Sequence, residues 1–470
     1  MMIITTLSFA FLFFLSAFQL QATHNRSGEI QYRQIGPKEL EASVITYSRA
    51  DANPADQDTI TICWGDNLCE QIARVNGPDL DGNGVPNGEI IAPNVKMNIY
   101  TYTHQYEELG YYILSMTDPN RNSGILNINF PNSDQVKFHI ESVVFLSEED
   151  WMNNHSPVLL EPPVGFGIVG QPYIHVPNAF DIDDDSVAYA LAVPLQGLDV
   201  EVPNYVLPNQ VMAGPDNQLR IDPETGVMVW DAPQIPGQYN VAIVIRSYRS
   251  GEIVDIVLRD LQIIVADGEQ LLPNINLTET EEGIIDVAVG DTVRVEVTAA
   301  SPLGQTIELT ASSGLLEEDF YLSTAAFTAA TIIDEEVLGT FSWVVRNEHI
   351  RQQPYQIAFR ARDEFEETGA VNFKILRYRV SALVPVEEPA PWREAVEVFP
   401  NPTSGWVQLA LHADALPAPY QLYHASGQKA ASGLIRNKRQ QLDLSGLPPG
   451  AYFLRVGDAG RLGTVKIIHR

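Results

Sequence analysis

The chain has 470 residues, enough for three or four domains, and 29 Lys and Arg against 60 Asp and Glu give a formal net charge of −31. This balance excludes the basic surface that nucleic-acid binding requires. Charged residues make up only 19% of the chain and hydrophobic residues 45%, which excludes a disordered acidic protein. The 32 glycines and 31 prolines follow no tripeptide period, and they favour a turn-rich, all-β protein.

The first segment of the chain is apolar. No charged side chain occurs before His24, and the stretch from Leu7 to Phe18 reads LSFAFLFFLSAF. This pattern predicts a signal peptide over residues 1–22, with Ala22 before the cleavage site. An uncleaved membrane anchor is the alternative, although the run is short for a span of about 20 residues. No other stretch approaches that length, so we expect an exported chain with no transmembrane segment after cleavage.

The two cysteines of the chain flank a short turn. Cys63 and Cys69 are separated by the sequence WGDNL. In an exported protein, two thiols across a hairpin can form a local disulfide, and we expect one here. Two free, buried thiols are the alternative.

Residues 23–152 carry the motifs of a known domain type. Trp64-Gly-Asp-Asn67 is followed by Tyr102-Thr-His-Gln-Tyr106 and by Gly110-Tyr-Tyr112. These motifs resemble the PKD domain, an immunoglobulin-like β-sandwich in which His104 would have a structural role. The wider region resembles large surface proteins of the Bacteroidetes, which are often labelled gliding-motility-associated.

Within this region an acidic loop has the spacing of a calcium site. Asp79, Asp81 and Asn83 place oxygen ligands at positions i, i+2 and i+4 between glycines. The spacing resembles the first half of an EF-hand loop and predicts Ca²⁺ binding. The second half of the EF-hand pattern is missing, so a solvated acidic turn is the alternative.

The middle of the chain alternates between apolar and polar residues. Examples are Tyr239 to Ile245 and Val293 to Val297, where every second residue is apolar. A period of two indicates half-buried strands of antiparallel sheets, and many such strands between turns suggest β-sandwiches.

The same part of the chain contains an internal repeat. The sequence GVMVW ending at Trp230 precedes PGQYNVAIVIR, and GTFSW ending at Trp343 precedes PYQIAFR. We therefore predict two tandem sandwiches, at residues 153–267 and 268–383, with each tryptophan in a core.

The first of these sandwiches contains a second acidic cluster. Asp181, Asp183 and Asp185 lie in the sequence AFDIDDDSVAY. This sequence resembles the A-x-D-x-DGD-S-L-x-Y signature of cadherin-like sandwiches, whose acids can bind calcium, and Asp184 stands where that signature has glycine. Clustered carboxylates repel one another unless a cation lies among them. We expect Ca²⁺ here, with an exposed acidic loop as the alternative.

The end of the chain reverses the charge. A proline-rich linker is predicted at residues 384–395, and from Ala395 onward eight Lys and Arg outnumber four Asp and Glu. That segment therefore carries +4, and the rest of the chain carries −35.

Residues 396–470 contain a series of short motifs in a fixed order. The motifs are FPNPTSG, LY followed by SGQ, LPPGAYFLR and a basic tail. They resemble the type A C-terminal sorting domain of cargo for the type IX (Por) secretion system. The matching residues are Pro400, Asn401, Pro402, Gly405, Gly427, Leu447, Gly450, Tyr452 and Lys466.

The resemblance implies an export route. Such a domain is a small β-sandwich that the type IX secretion machinery recognises after Sec-dependent entry into the periplasm. The cargo crosses the outer membrane, commonly loses the domain, and is often attached to an anionic lipopolysaccharide or released.

The sequence gives no sign of an enzyme. It contains no H-E-x-x-H, G-x-S-x-G or P-loop motif. We therefore expect a non-catalytic, all-β protein of tandem immunoglobulin-like or cadherin-like sandwiches, secreted or displayed at the outer membrane. Its expected role is adhesion to an unidentified glycan or protein, with calcium as a stabiliser. A secreted hydrolase with accessory sandwiches, or a component of gliding motility, is the alternative.

Overall fold

A computed structural model describes residues 25–50, 57–148, 154–163, 166–279, 283–333, 336–363, 369–381, 396–411, 416–424, 429–458 and 461–470. The predicted signal peptide (1–22) and linker (384–395) lie outside these residues. The chain forms two compact units, Met1–Ser381 and Ala382–Arg470. In the described ranges, no helix has the length and apolar character needed to span a bilayer.

The N-terminal region of the first unit is a β-sandwich around Trp64. Its alternating sequences form the predicted strands, as in β2, where every second side chain is buried. The strands are β1 (Asn25–Gly36), β2 (Glu39–Ser48), β3 (Thr59–Cys63), β4 (Cys69–Ala73), β5 (Glu89–Ala92), β6 (Val95–Gln105), β7 (Gly110–Asp118) and β8 (Phe138–Leu146). Trp64 is fully buried in their common core.

The next region has short strands and one long hairpin. The strands are β9 (Val158–Leu159), β10 (Phe166–Ile168), β11 (Tyr173–His175), β12 (Ala179–Phe180), β13 (Ser186–Ala192), β14 (Leu195–Gly197), β15 (Val200–Glu201), β16 (Leu219–Ile221), β17 (Met228–Trp230), β18 (Gly237–Arg249) and β19 (Glu252–Ala266). The β18–β19 hairpin packs against the β11–β17–β16 sheet around Trp230 and Tyr239.

The long strand β19 joins these two regions into one sheet. The order of the main sheet is β4-β3-β7-β8-β19-β1-β2-β6-β5, and β18 with β13 extends it from β19. Ser27 of β1 pairs with Leu261, and Val144 of β8 pairs with Asp255. The boundary predicted between residues 152 and 153 therefore does not separate two sheets. Alternation identified the strands but could not identify their distant partners.

The third region of this unit is a sandwich of two four-stranded sheets. Its strands are β20 (Asn274–Leu277), β21 (Ile285–Ala288), β22 (Thr292–Ala300), β23 (Ile307–Ser312), β24 (Ala326–Ile333), β25 (Glu336–Val344), β26 (Tyr355–Asp363) and β27 (Val371–Ser381). The sheets have the orders β20-β22-β25-β24 and β21-β27-β26-β23. Trp343 and Tyr355 are buried in the core between them, as Trp230 and Tyr239 are in the preceding region. Both tryptophans are core residues, as predicted.

The second unit is a small sandwich, as the sequence predicts. Its strands are β28 (Val396–Phe399), β29 (Trp406–Leu411), β30 (Ala418–His424), β31 (Lys429–Ile435), β32 (Arg439–Asp443), β33 (Gly450–Asp458) and β34 (Arg461–His469). The sheets β28-β29-β32 and β31-β30-β33-β34 enclose one apolar core. Short 3-10 turns elsewhere in the chain lie at Ser133–Gln135, Pro208–Gln210, Gly314–Leu316 and Asn347–His349. The all-β class is thus confirmed.

Candidate functional sites

In the second unit, the predicted sorting motif ties the start of the unit to its last strand. The Asn401 side chain accepts a hydrogen bond from the Ile468 amide (2.9 Å) and donates one to the Lys466 carbonyl (2.6 Å). Asn401 lies between Pro400 and Pro402. Neither proline has a backbone N–H that could donate to the Lys466 carbonyl in place of the Asn401 side chain. The Gly405 carbonyl accepts a hydrogen bond from the Leu444 amide at 2.6 Å. These residues hold the fold of the unit together.

A second group of motif residues shapes the turn into β33. Tyr452 is buried, and its hydroxyl donates to the Pro448 carbonyl at 2.6 Å. A Cβ at Gly450 would lie 2.9 Å from Nε2 of His424, so a larger residue would displace that ring. Leu447 packs against the apolar core. Gly427 lies outside the described residues.

Lys466 is an exposed motif residue, as are Pro400, Asn401 and Pro402. Lys429, Tyr423, Phe453 and Lys466 are successive partners across β31, β30, β33 and β34. Phe453 is 40% exposed, and the Arg455 guanidinium lies 5.8 Å from the centre of the Tyr423 ring. This face of the sheet presents cations and aromatic rings together.

In the first unit, the three predicted aspartates come together between β12 and β13. Asp181, Asp183 and Asp185 each place a carboxylate oxygen within 4.8 Å of the others. Among the described residues, this is the group of acidic, histidine or cysteine side chains close enough to share a metal ion. The carboxylates are buried rather than exposed, so the loop is not the exposed acidic turn that was the alternative.

Two of these carboxylates already have cationic or imidazole partners. Asp183 accepts hydrogen bonds from the His155 amide and pairs with His155 Nδ1, both at 2.8 Å. The Asp185 carboxylate accepts two hydrogen bonds from Arg249, one from Nε at 2.8 Å and one from a terminal nitrogen at 2.6 Å. One oxygen of Asp181 accepts the amides of Asp183 and Asp185, and the other, Oδ2, has no hydrogen-bond partner. The open ligand position in this cluster is therefore at Asp181.

Burial and crowding perturb the protonation of the cluster. Burial raises the pKa of Asp181 to about 7, and the neighbouring carboxylates of Asp185 and Asp183 contribute to the rise. Burial and the Asp181 charge also hold the pKa of Asp255, on β19, well above its usual range. A cation at this position would stabilise the charged form of these buried carboxylates and reduce the repulsion between them.

The partners of the cluster lie far from it in the sequence. His155, Arg249 and Asp255 are 28, 64 and 70 or more residues from the carboxylates that they approach, on different strands and loops. No local spacing links them; β13, which follows the loop, pairs with β18, and β18 pairs with β19, which brings Arg249 and Asp255 to the aspartates.

The other predicted calcium loop is exposed and satisfied by its own backbone. The two oxygens of Asp79 accept the amides of Gly82 (2.8 Å) and Gly84 (3.0 Å). Asp81 accepts the Asn83 amide, and the Asn83 oxygen accepts that of Val85, so both residues form the short turns common to Asx side chains. Calcium at this loop stays a prediction with no open buried ligand to support it.

The two cysteines are bonded to each other. Cys63 and Cys69 form a disulfide between β3 and β4, which pair at these residues. Next to this hairpin, His104 stacks on Trp64 with ring centres 4.7 Å apart, and Nε2 contacts the Asp66 carboxylate at 2.7 Å. His104 is a buried core residue, which agrees with a structural role.

Comparison with known proteins identifies the second unit. Residues 397–470 match the family described as "Secretion system C-terminal sorting domain", which confirms the predicted sorting domain and implies that the chain is secreted. The match begins at residue 397 and does not extend into the first unit. A search of curated proteins gave no match.

Solved structures that align with the chain are immunoglobulin and cadherin proteins. They include a three-domain segment of titin (11% identity, 66% of this chain and 97% of that chain, TM-score 0.19). Others are the mouse nectin-like molecule 4 ectodomain (9%, 65% and 96%, 0.17) and Drosophila N-cadherin (11%, 61% and 83%, 0.18).

Proposed function

We propose that this chain is cargo of the type IX secretion system and that its acidic first unit acts at the cell surface in binding or adhesion. The observation that carries this proposal is the sorting domain at residues 397–470. The motif residues Asn401, Gly405 and Tyr452 are each engaged in holding that domain's fold, so the motif and the sandwich form one working module.

The proposed route begins with the signal peptide predicted at residues 1–22 and Sec-dependent export. The secretion machinery then recognises the folded sorting domain, and the passenger is carried across the outer membrane. It is attached to lipopolysaccharide or released there. Lys466 is a cationic motif residue with an exposed side chain, so it can contact that machinery directly.

The proposed action of the passenger is non-catalytic. Its PKD-like and cadherin-like motifs belong to sandwiches whose tryptophans and His104 are buried in cores rather than placed around a cleft. We propose that Ca²⁺ stabilises the passenger at the Asp181, Asp183 and Asp185 loop. The unpartnered Oδ2 of buried Asp181 supports this, because a bound cation would supply the partner that the protein does not.

The export part of the proposal is tested by moving the sorting domain. In a host with the secretion system, the chain without residues 396–470 should remain in the periplasm, and residues 396–470 fused to an unrelated periplasmic protein should carry that protein to the surface. Fractionation and protease accessibility measure both. Surface display of the shortened chain would overturn the proposed route.

A further inference from the structure

Three buried polar atoms near the acidic loop have no hydrogen-bond partner. They are Oδ2 of Asp181, Oδ1 of Asp255 and Oγ of Ser247. The exposed fractions of these residues are 2%, 2% and 0%. Buried polar groups are almost always hydrogen-bonded, and an unpaired carboxylate oxygen is among the most costly groups to leave alone. Three such atoms in one place require a common explanation.

The three residues come from separate elements that meet at one point. Ser247 of β18 pairs with Asp255 of β19 in the hairpin. Val187 of β13, two residues after Asp185, pairs with Ser247 from the other side of β18, so Ser247 lies between the strand that follows the acidic loop and Asp255. Its hydroxyl forms no hydrogen bond with the carboxylate of Asp181 or of Asp255. A hydroxyl has one proton and can serve only one of two carboxylates. The protein therefore cannot satisfy both aspartates by itself.

The charges around this point do not balance. Asp183 is held by His155, and Asp185 by Arg249, whose terminal nitrogen also lies 3.6 Å from Asp183. Asp183 and Asp185 therefore have partners of their own. Asp181 and Asp255 remain as an inner pair of like charges with no cation against their open oxygens.

We propose that Asp181 and Asp255, with Ser247 between them, bind one hard cation of the calcium type. Carboxylate and hydroxyl oxygens, with no nitrogen or sulfur, are the ligands that Ca²⁺ prefers, and water can fill its remaining positions. The inference rests on the calcium part of the proposed function, but it assigns the ion a different set of ligands. Asp183 and Asp185 become positioning residues, which hold the loop through His155 and Arg249, and Asp255 becomes a ligand that no sequence motif includes.

The test uses the purified full chain and CaCl₂ as the probe. Calorimetric titration of wild type should show one tight site, and Ca²⁺ should raise the melting temperature relative to EDTA. Asp255→Asn should weaken Ca²⁺ binding at least tenfold, because it removes one of two ligand charges, and Ser247→Ala should weaken it by a few fold. Asp79→Asn, in the exposed acidic loop, is the matched control and should bind Ca²⁺ as wild type does.

Folding of the variants is checked separately in EDTA. Removing one of two repelling buried charges should leave the Asp255→Asn melting temperature at or above that of wild type, so loss of binding would not reflect loss of fold. Wild-type affinity in Asp255→Asn would overturn the inference and return the site to Asp181, Asp183 and Asp185. If wild type neither bound Ca²⁺ nor melted at a higher temperature in its presence, both assignments would be wrong. A proton would then be the partner of the Asp181 and Asp255 carboxylates. Neither result bears on export, which depends on the sorting domain.

Discussion

Asp184 has a backbone conformation that glycine adopts most easily, with a φ of 67°. Its carboxylate reaches the third region of the first unit, where it accepts the amides of Gln352 (2.6 Å) and Gln353 (2.8 Å) and pairs with Arg351 Nε at 3.2 Å. Glycine, which the cadherin-like signature has at this position, could make none of these contacts. Aspartate in place of glycine at this position thus gives up backbone freedom and gains contacts that connect two sandwiches.

These contacts predict that two substitutions of Asp184 lower the free energy of unfolding by different amounts. Asp184→Gly relieves the backbone but removes the acceptor of two amides and the partner of Arg351, so we expect a loss of about 1–2 kcal/mol in the free energy of unfolding. Asp184→Asn keeps one oxygen and tolerates a positive φ, so its loss should be smaller. Denaturant unfolding of the full chain measures both. A glycine variant as stable as wild type would show that the cross-region contacts contribute nothing.

The β18–β19 hairpin shows which part of the fold the sequence could predict. Alternation from Tyr239 to Ile245 predicted strands here, and a strand of 13 residues and one of 15 residues form. Their partners could not be predicted, since β19 pairs with β1 more than 220 residues earlier, and no local pattern specifies such a register. The acidic site divides in the same way. The aspartates at i, i+2 and i+4 are visible in the sequence, whereas Arg249 and Asp255 reach them only through the pairing of β13 with β18 and of β18 with β19.

The same pairing buries an ion pair between β1 and β19. Glu29 and Arg259 are both fully buried, with a shortest nitrogen–oxygen distance of 2.7 Å. Arg259 also donates to the Glu161 carbonyl at 2.7 Å, and the Glu161 carboxylate pairs with Arg360 of β26 at 3.0 Å. A line of buried charges thus crosses from the first region of this unit to the third.

We expect the Glu29–Arg259 pair to show strong coupling in a double-mutant cycle. Arg259→Met alone leaves the Glu29 charge buried without its partner and should cost about 3–5 kcal/mol in the free energy of unfolding. Adding Glu29→Gln removes that charge and should recover much of the loss. Exposed Arg294, paired with Glu296, provides the control, and Arg294→Met should cost under about 1 kcal/mol. Additive effects of the two buried substitutions would contradict the coupling.

On the scale of the whole first unit, apolar core contacts as well as buried ion pairs connect the predicted sandwiches. Phe180, next to the acidic loop, belongs to the apolar core of the third region and stacks on Phe320 with ring centres 5.1 Å apart. A Cβ at Gly314 would lie 2.4 Å from the Phe180 ring, so this glycine makes room for it. Composition and repeats predicted tandem domains of about equal size, but they could not show that a side chain of one completes the core of the next.

These shared cores predict how the full chain unfolds. Residues 25–381 should unfold in one calorimetric transition, separate from that of the sorting domain, because the β1–β19 pairing, the buried charges and Phe180 connect all three regions. At about 0.7 kcal/mol per residue near 60 °C, one such transition has an enthalpy of about 250 kcal/mol, whereas three independent sandwiches would each give about 80 kcal/mol.

Deletion of residues 396–470 should remove only the separate, smaller transition. Arg360→Met, which breaks the pair with Glu161, should lower the main transition or split the third region from it, while Arg294→Met should do neither. Three passenger transitions in wild type, each with a calorimetric enthalpy equal to its van't Hoff enthalpy, would show independent domains and contradict the shared cores.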